Sequence, residues 1–203
     1  MIVYYSKEGI GDVLMIYLKE GESETFERKG DVARIFDKKS GEAIGFNFFH
    51  ASEDLPSLNT GEVRQDEELI RTLNHKLARS GFSDRLTADR TPSIVTAYVE
   101  KCEKHPDSDH MHVCLVDVGD RELQIVCGAP NIKQGQKVVV ARPGALMPGG
   151  LIIRPTVLRG VASDGMICSA RELALPHAPQ KRGILVLDDA AAVGEDFLAG
   201  VHK

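Results

Sequence analysis

Short β-branched or aromatic runs alternate with turn chemistry over the first fifty residues. Ile2-Tyr5, Val13-Leu18, Thr25-Arg28, Val32-Asp37 and Ala43-Phe49 carry side chains that suit a pleated, half-buried surface, and Asp37-Lys38-Lys39-Ser40-Gly41 is the clearest turn among them. Strands in hairpin order predict an antiparallel sheet. From Asp66 to Ser80 the spacing changes: Leu69, Ile70, Leu73 and Leu77 recur at the period of one helix face, with Gly81 as the stop. One amphipathic helix is expected to cover one face of that sheet. The polar stretch 83–92 lacks apolar periodicity and ends in Thr91-Pro92, which predicts a linker between a domain at 1–82 and a second at 93–203.

Beyond the linker the pattern is one of short Val/Ile/Leu strands separated by glycine turns. Strands are predicted near Ile94-Lys101, Met111-Val118, Glu122-Cys127, Lys137-Ala141, Ile152-Val157, Gly165-Cys168 and Gly183-Leu187. Ser169-Ala170-Arg171-Glu172 has the form of a capping box, in which serine and glutamate satisfy free amides at a helix start, so a short helix is expected to run into Leu175. The fold class is therefore mainly β: an N-terminal α+β part, then a small Greek-key barrel.

Composition sharpens the division. Most aromatic residues precede position 83, and after it only Tyr98 and Phe197 remain. All four cysteines (Cys102, Cys114, Cys127, Cys168) fall in the second half inside apolar runs, which suits reduced core thiols better than a disulfide framework. No basic-then-apolar leader opens the chain, and no apolar run reaches the roughly 18–20 residues of a spanning helix, so a cytoplasmic location away from membranes is expected. The formal net charge of −5 argues against coating nucleic acid through overall charge. Yet between Glu122 and Asp164 there is no acidic residue, while Lys133, Lys137, Arg142, Arg154 and Arg159 all fall there. A polyanion meeting those cations would release counterions without carboxylate repulsion. A chance clearing of charge on an apolar barrel is the other reading. With almost no rings to stack on, such a surface would read RNA by shape and backbone.

An ordered series of blocks then carries a resemblance: His105-Pro106-Asp107-Ser108-Asp109, Val116-Asp117-Val118-Gly119, Ile125-Val126-Cys127-Gly128-Ala129-Pro130-Asn131-Ile132, Pro143-Gly144-Ala145, Leu158-Arg159-Gly160-Val161 and Ser163-Asp164-Gly165-Met166-Ile167-Cys168-Ser169. The series resembles the tRNA-binding domain of the bacterial phenylalanyl-tRNA synthetase β chain, and the whole chain looks like the small YtpR-type proteins. The resemblance implies an OB-fold barrel that binds tRNA without strong sequence preference. It also implies that Ser163 and Met166 face the RNA, joined by Asn131 and Arg159. Met166 either covers a base face or fills core, and Arg159 either forks a phosphate or pairs with Asp164 or Glu172. Where the family has alanine, aspartate, lysine and leucine after His105-Pro106, this chain has Ser108-Asp109-His110-Met111-His112, so a basic residue expected at this edge is replaced by a titratable one.

Other chemistries fit less well. Cys102, His105, His110, His112 and Cys114 are zinc-ligand types at irregular spacing, and no second Cys-x-x-Cys pair closes a tetrahedron. Ser163, Asp164 and His177 are hydrolase residue types without a nucleophile elbow, and no phosphate-binding loop is present. The expectation is thus a non-catalytic RNA-binding protein without metal or cofactor, whose partner is tRNA. The competing reading is an adaptor tethering a synthetase or ribosome-associated protein, and pairing of chains into a homodimer is left open.

Overall fold

The computed structural model describes residues 1–201, which form two compact units, Met1–Thr91 and the chain from Pro92 onward. In the first, β1 (Ile2–Tyr5), β2 (Val13–Tyr17), β3 (Glu24–Lys29), β4 (Val32–Asp37), β5 (Ala43–Phe49) and β6 (Gly61–Glu62) make one antiparallel sheet in the order β3-β4-β5-β2-β1-β6. Two single-turn helices, α1 (Lys7–Ile10) and α2 (Ala51–Asp54), interrupt it, and α3 (Glu67–Arg79) covers one face. The helix starts where Asp66 accepts a hydrogen bond from the Leu69 amide at 2.8 Å, which satisfies a free donor of the first turn. Glu67 and Glu68 at its start and Lys76 and Arg79 at its end complement the helix dipole. Leu69, Leu73 and Leu77, one turn apart, bury against Val3, Leu14, Ile16, Val32, Phe46 and Phe48.

The stretch expected to be a linker is instead part of this unit up to Thr91. Leu86 is buried in the same core, and the Asn74 amide brackets its backbone, donating to the Leu86 carbonyl (2.9 Å) and accepting from its amide (2.7 Å). Asp84 also accepts two bonds from Arg34 Nε. Polar sequence concealed this, because one leucine and a side-chain clip leave no periodicity to read.

In the second unit β7 (Ile94–Lys104), β8 (His112–Asp117), β9 (Glu122–Cys127), β10 (Lys137–Ala141) and the short β13 (Met166–Ile167) form a sheet in the order β13-β10-β7-β8-β9. Three consecutive strands with the fourth returning beside the first is Greek-key order. Between β10 and β13 lies a hairpin, β11 (Thr156–Leu158) and β12 (Val161–Ser163). Both β12 and β13 pack back on β9, and the ends of the sheet are tied by Asp164 N donating to the Gln124 carbonyl (2.8 Å) and Gln124 Nε2 donating to the Ala162 carbonyl (2.8 Å). This nearly closed five-stranded barrel is of the OB type that was expected. Val95, Val99, Cys114, Val116, Ile125, Val138, Val140 and Ile167 fill it. The alternate residues of β10, Val139 and Ala141, pack outward with Ala145, Met147, Ile153, Cys168 and Leu173, so this strand is buried on both faces.

Several elements differ from expectation. Ile152 makes only an isolated bridge to Leu146, and the strand placed there begins at Thr156. The capping box closes as predicted, with Glu172 accepting from the Ser169 amide (2.7 Å) and Ser169 Oγ from the Glu172 amide (3.2 Å), but it caps a single turn that ends at left-handed Ala174 (φ 51°). Residues 183–187 make scattered bonds, Leu185 N to the Cys168 carbonyl and Leu187 N to the Lys137 carbonyl, with no ladder. A terminal helix, α4 (Phe197–Val201), was not foreseen. Among the described residues no helix is long and apolar enough to cross a membrane.

Candidate nucleic-acid interface

A cleft of about 640 Å³ opens on the barrel where β9, β12 and β13 meet the loops at 151–156, 169–172 and 182–184. Its apolar lining comes from Leu151, Ile152, Leu158, Met166 and Ile184, and three guanidinium groups, Arg154, Arg171 and Arg182, stand along it. All three are exposed. The one carboxylate in the lining, Glu172, is turned back on the Ser169 amide. Apolar surface beside three exposed guanidinium groups suits a ligand that is flat and apolar in one part and anionic in another.

The residues expected to bind RNA fall into three groups. Arg154 and Met166 line the cleft, with Met166 half-buried against Leu173 and the outer core of the barrel. Lys133 and Lys137 lie outside it: Lys133 is exposed, and Lys137 sits with Nζ 4.9 Å from the Tyr98 ring centroid, a cation–π contact. Arg159 also lies outside, at the tip of the β11–β12 hairpin, where it donates to the Asp107 carbonyl at 2.9 Å and pairs with neither Asp164 nor Glu172. The acid-free strip therefore does not line the cleft as one surface; of its five cations, Arg154 alone does.

The remaining three are structural. Arg142 is buried, with Nη2 donating to Asp120 Oδ1 (2.6 Å) and to the Val118 carbonyl (2.6 Å). An arginine so held is not available to a phosphate. Asn131 uses its amide as a strand would: Nδ2 donates to the Ile184 carbonyl (3.0 Å) and Oδ1 accepts from the Ile184 amide (2.9 Å). It thereby positions the Arg182–Ile184 segment beside the cleft. Ser163 lines the cleft but is only 2% exposed, its Oγ accepting from the Val126 amide at 3.0 Å. Gly165, at φ 138°, is required by its own backbone, since a Cβ there would stand 2.9 Å from the Ala141 carbonyl.

Arg171 and Arg182 were missed because charge was read by sequence window. Glu172 and Asp188 make their neighbourhoods look neutral, whereas the fold brings both arginines to Arg154. The His105 loop is tied to the β11–β12 hairpin. His105 is buried, Nδ1 accepts from the Asp107 amide (3.0 Å), and Nε2 lies 3.1 Å from the Leu158 carbonyl, so the ring clips this loop to the hairpin. Cys102 and Cys114 face each other across β7 and β8 with sulfurs 3.8 Å apart. Among the described residues no group of three or more His, Cys, Asp or Glu side chains is arranged to hold a metal ion. Burial pushes the thiol of Cys127, at the cleft, above its ordinary range, so it stays protonated at neutral pH.

Comparison with known proteins relates each unit to a known family. Residues 94–196 match the family described as "Putative tRNA binding domain", and residues 19–89 match a "Domain of unknown function (DUF4479)". The chain is 49% identical over 199 residues to the "Putative tRNA-binding protein YtpR" of Bacillus subtilis, covering 97% of this chain and 99% of that one. It is 59% identical over 116 residues to the phenylalanine–tRNA ligase β subunit of Oceanobacillus iheyensis, a match over 56% of this chain and 14% of the ligase subunit. Among solved structures, the C-terminal domain of Plasmodium vivax p43 overlaps 54% of this chain and 61% of its own at 26% identity, with a TM-score of 0.38. The chain belongs to the YtpR family, whose barrel is the domain that the phenylalanine–tRNA ligase β subunit also carries.

Proposed function

We propose that this protein is a cytoplasmic, non-catalytic tRNA-binding protein whose barrel holds folded RNA through phosphate contacts from Arg154, Arg171 and Arg182, with an exposed base edge against Met166 and Leu151. The observation that carries this reading is the cleft itself, in which three arginines flank apolar surface on a barrel of the tRNA-binding-domain family. The relatives' names point to the same ligand. The match to the ligase subunit leaves most of that enzyme outside this chain, so its aminoacylation activity is not carried over. Ser163 Oγ is buried and accepts from the Val126 amide, which supports a structural rather than a nucleophilic role for it.

Filter-binding titration of total tRNA at two salt concentrations tests the proposal. Three phosphate contacts correspond to a log–log salt slope of about −2 to −3, or roughly 15- to 60-fold weaker binding from 50 to 200 mM salt. Replacing Arg154, Arg171 and Arg182 together with glutamate should abolish binding; affinity unchanged in that variant removes the cleft from the account. An adaptor role has one observation in its favour, the exposure of Leu151 (60%) and Val157 (66%), which suits an apolar protein contact. In that case tRNA affinity would be weak and the triple variant would still capture its protein partner.

A further inference from the structure

The two edges of the first unit's sheet are unlike. On one side β6 has only two residues, a blunted edge that offers little to a second strand. On the other, β3 runs six residues, Glu24-Thr25-Phe26-Glu27-Arg28-Lys29, with no proline, glycine or bulge, and its outer side is unpaired. Natural edges of this length are usually guarded by charge at the centre. Here the two central residues are Phe26, 69% exposed, and Glu27, whose carboxylate is paired with Lys29 of the same strand.

The pleat assigns the faces. Thr25, Glu27 and Lys29 lie opposite Phe36, Arg34 and Val32, on the side covered by α3, and Lys29 sits over the Phe82 ring at 4.6 Å. Glu24, Phe26 and Arg28 therefore lie on the face away from the helix, where the Arg28 guanidinium stands 3.9 Å from the Phe49 ring centroid. Tyr4, Met15, Tyr17, Ile35 and Phe49 share that face by register and are neither fully buried nor exposed.

We infer that β3 pairs antiparallel with β3 of a second copy of this chain, about a twofold axis at Phe26. Registers that keep both open faces on one side differ by two residues. Centring on Phe26 sets the two Phe26 rings against each other and puts Glu24 opposite the partner's Arg28, twice by symmetry. Thr25 then meets the partner's Glu27, whose carboxylate is already paired with its own Lys29 at 3.1 Å. Sliding two residues one way brings Glu27 against Glu27; sliding the other way sets Glu24 against Phe26. Both lose the matched charges. Glu24 has no ion-pair or hydrogen-bond partner among the described residues, so its charge is available for this one. The charges along this edge thus match a second β3 strand.

Sedimentation equilibrium on the full chain tests the pairing. The expected result is a concentration-dependent dimer, weakened about tenfold or more by Glu24→Arg and likewise by Arg28→Glu, because each sets like charges opposite each other twice. The double variant Glu24→Arg/Arg28→Glu should restore association to within a few-fold of the starting protein, and Phe26→Ser should weaken it. Glu24 is exposed and unpartnered, so its variant keeps the test open even if Arg28→Glu disturbs the Phe49 contact. A monomer at every concentration, a dimer indifferent to both single swaps, or failure of the double swap to restore association would each overturn the inference. None of these outcomes depends on RNA binding.

Discussion

Asp37 shows how much one carboxylate can organise. Its Oδ2 accepts from the amides of Glu22 and Ser23, and its Oδ1 from those of Lys39 and Ser40, so one buried side chain closes two loops. The Ser23 amide above all, then those of Ser40, Lys39 and Glu22, outweigh desolvation and hold the carboxyl at about 2, below its ordinary 3.8. A depressed folded value contributes stability above the unfolded value that is lost as pH falls through the folded one. The first unit should therefore lose stability between about pH 4 and pH 2, and Asp37→Asn should flatten that decline and lower its melting temperature by roughly 5 °C or more, as read by circular dichroism. In the barrel, Ser163→Ala removes the acceptor of the part-buried Val126 amide and should cost about 1 kcal/mol of stability, seen as a lower urea midpoint. This reverses what the sequence suggests, which is a serine facing RNA. A hydroxyl, an amide or a guanidinium reads the same whether its partner is RNA or the chain's own backbone. Ser163, Asn131 and Arg142 were legible as polar and purposeful, but only the fold shows that they bind Val126, Ile184, and Asp120 with Val118.

Periodicity made the regular elements readable. β2 keeps a two-residue alternation of buried and half-buried positions, and α3 keeps its leucines on one stripe, so pattern and fold agree there. The β11–β12 hairpin escaped because its turn is written Arg159-Gly160, both with positive φ (46° and 82°), the geometry of a two-residue hairpin loop for which Asn-Gly is the usual signal. The residue expected to fork a phosphate thus also holds a left-handed turn position. The distinction is testable: asparagine tolerates the left-handed region, so Arg159→Asn should leave the melting temperature nearly unchanged and tRNA affinity within about threefold, since Arg159 does not line the cleft. Arg182→Ala, by contrast, removes one cleft cation and should reduce the salt slope by about one. The short helix expected at Ser169 was cut to one turn by left-handed Ala174 and the proline at position 176, neither of which hydrophobic spacing reveals.

At the scale of the molecule, two cores built from different strands divide the work: one unit presents an open sheet edge, the other an arginine-flanked cleft. In the first unit acidic residues outnumber basic ones, so it adds no electrostatic affinity for a polyanion. Its contribution to RNA binding would then be indirect, through joining two barrels. A dimer raises apparent affinity only where both barrels can engage at once, because the second contact becomes intramolecular at a high effective concentration. Two measurements on the full chain separate that effect from the chemistry of the cleft. In dilute solution with one tRNA per chain, Phe26→Ser should bind as the unaltered protein does, since Phe26 does not line the cleft. On a surface dense with tRNA the same variant should dissociate roughly 10- to 100-fold faster, having lost the second point of attachment. Equal dissociation rates on the dense surface would mean that the barrels act singly, and weaker binding in solution would mean that Phe26 affects the cleft by some other route.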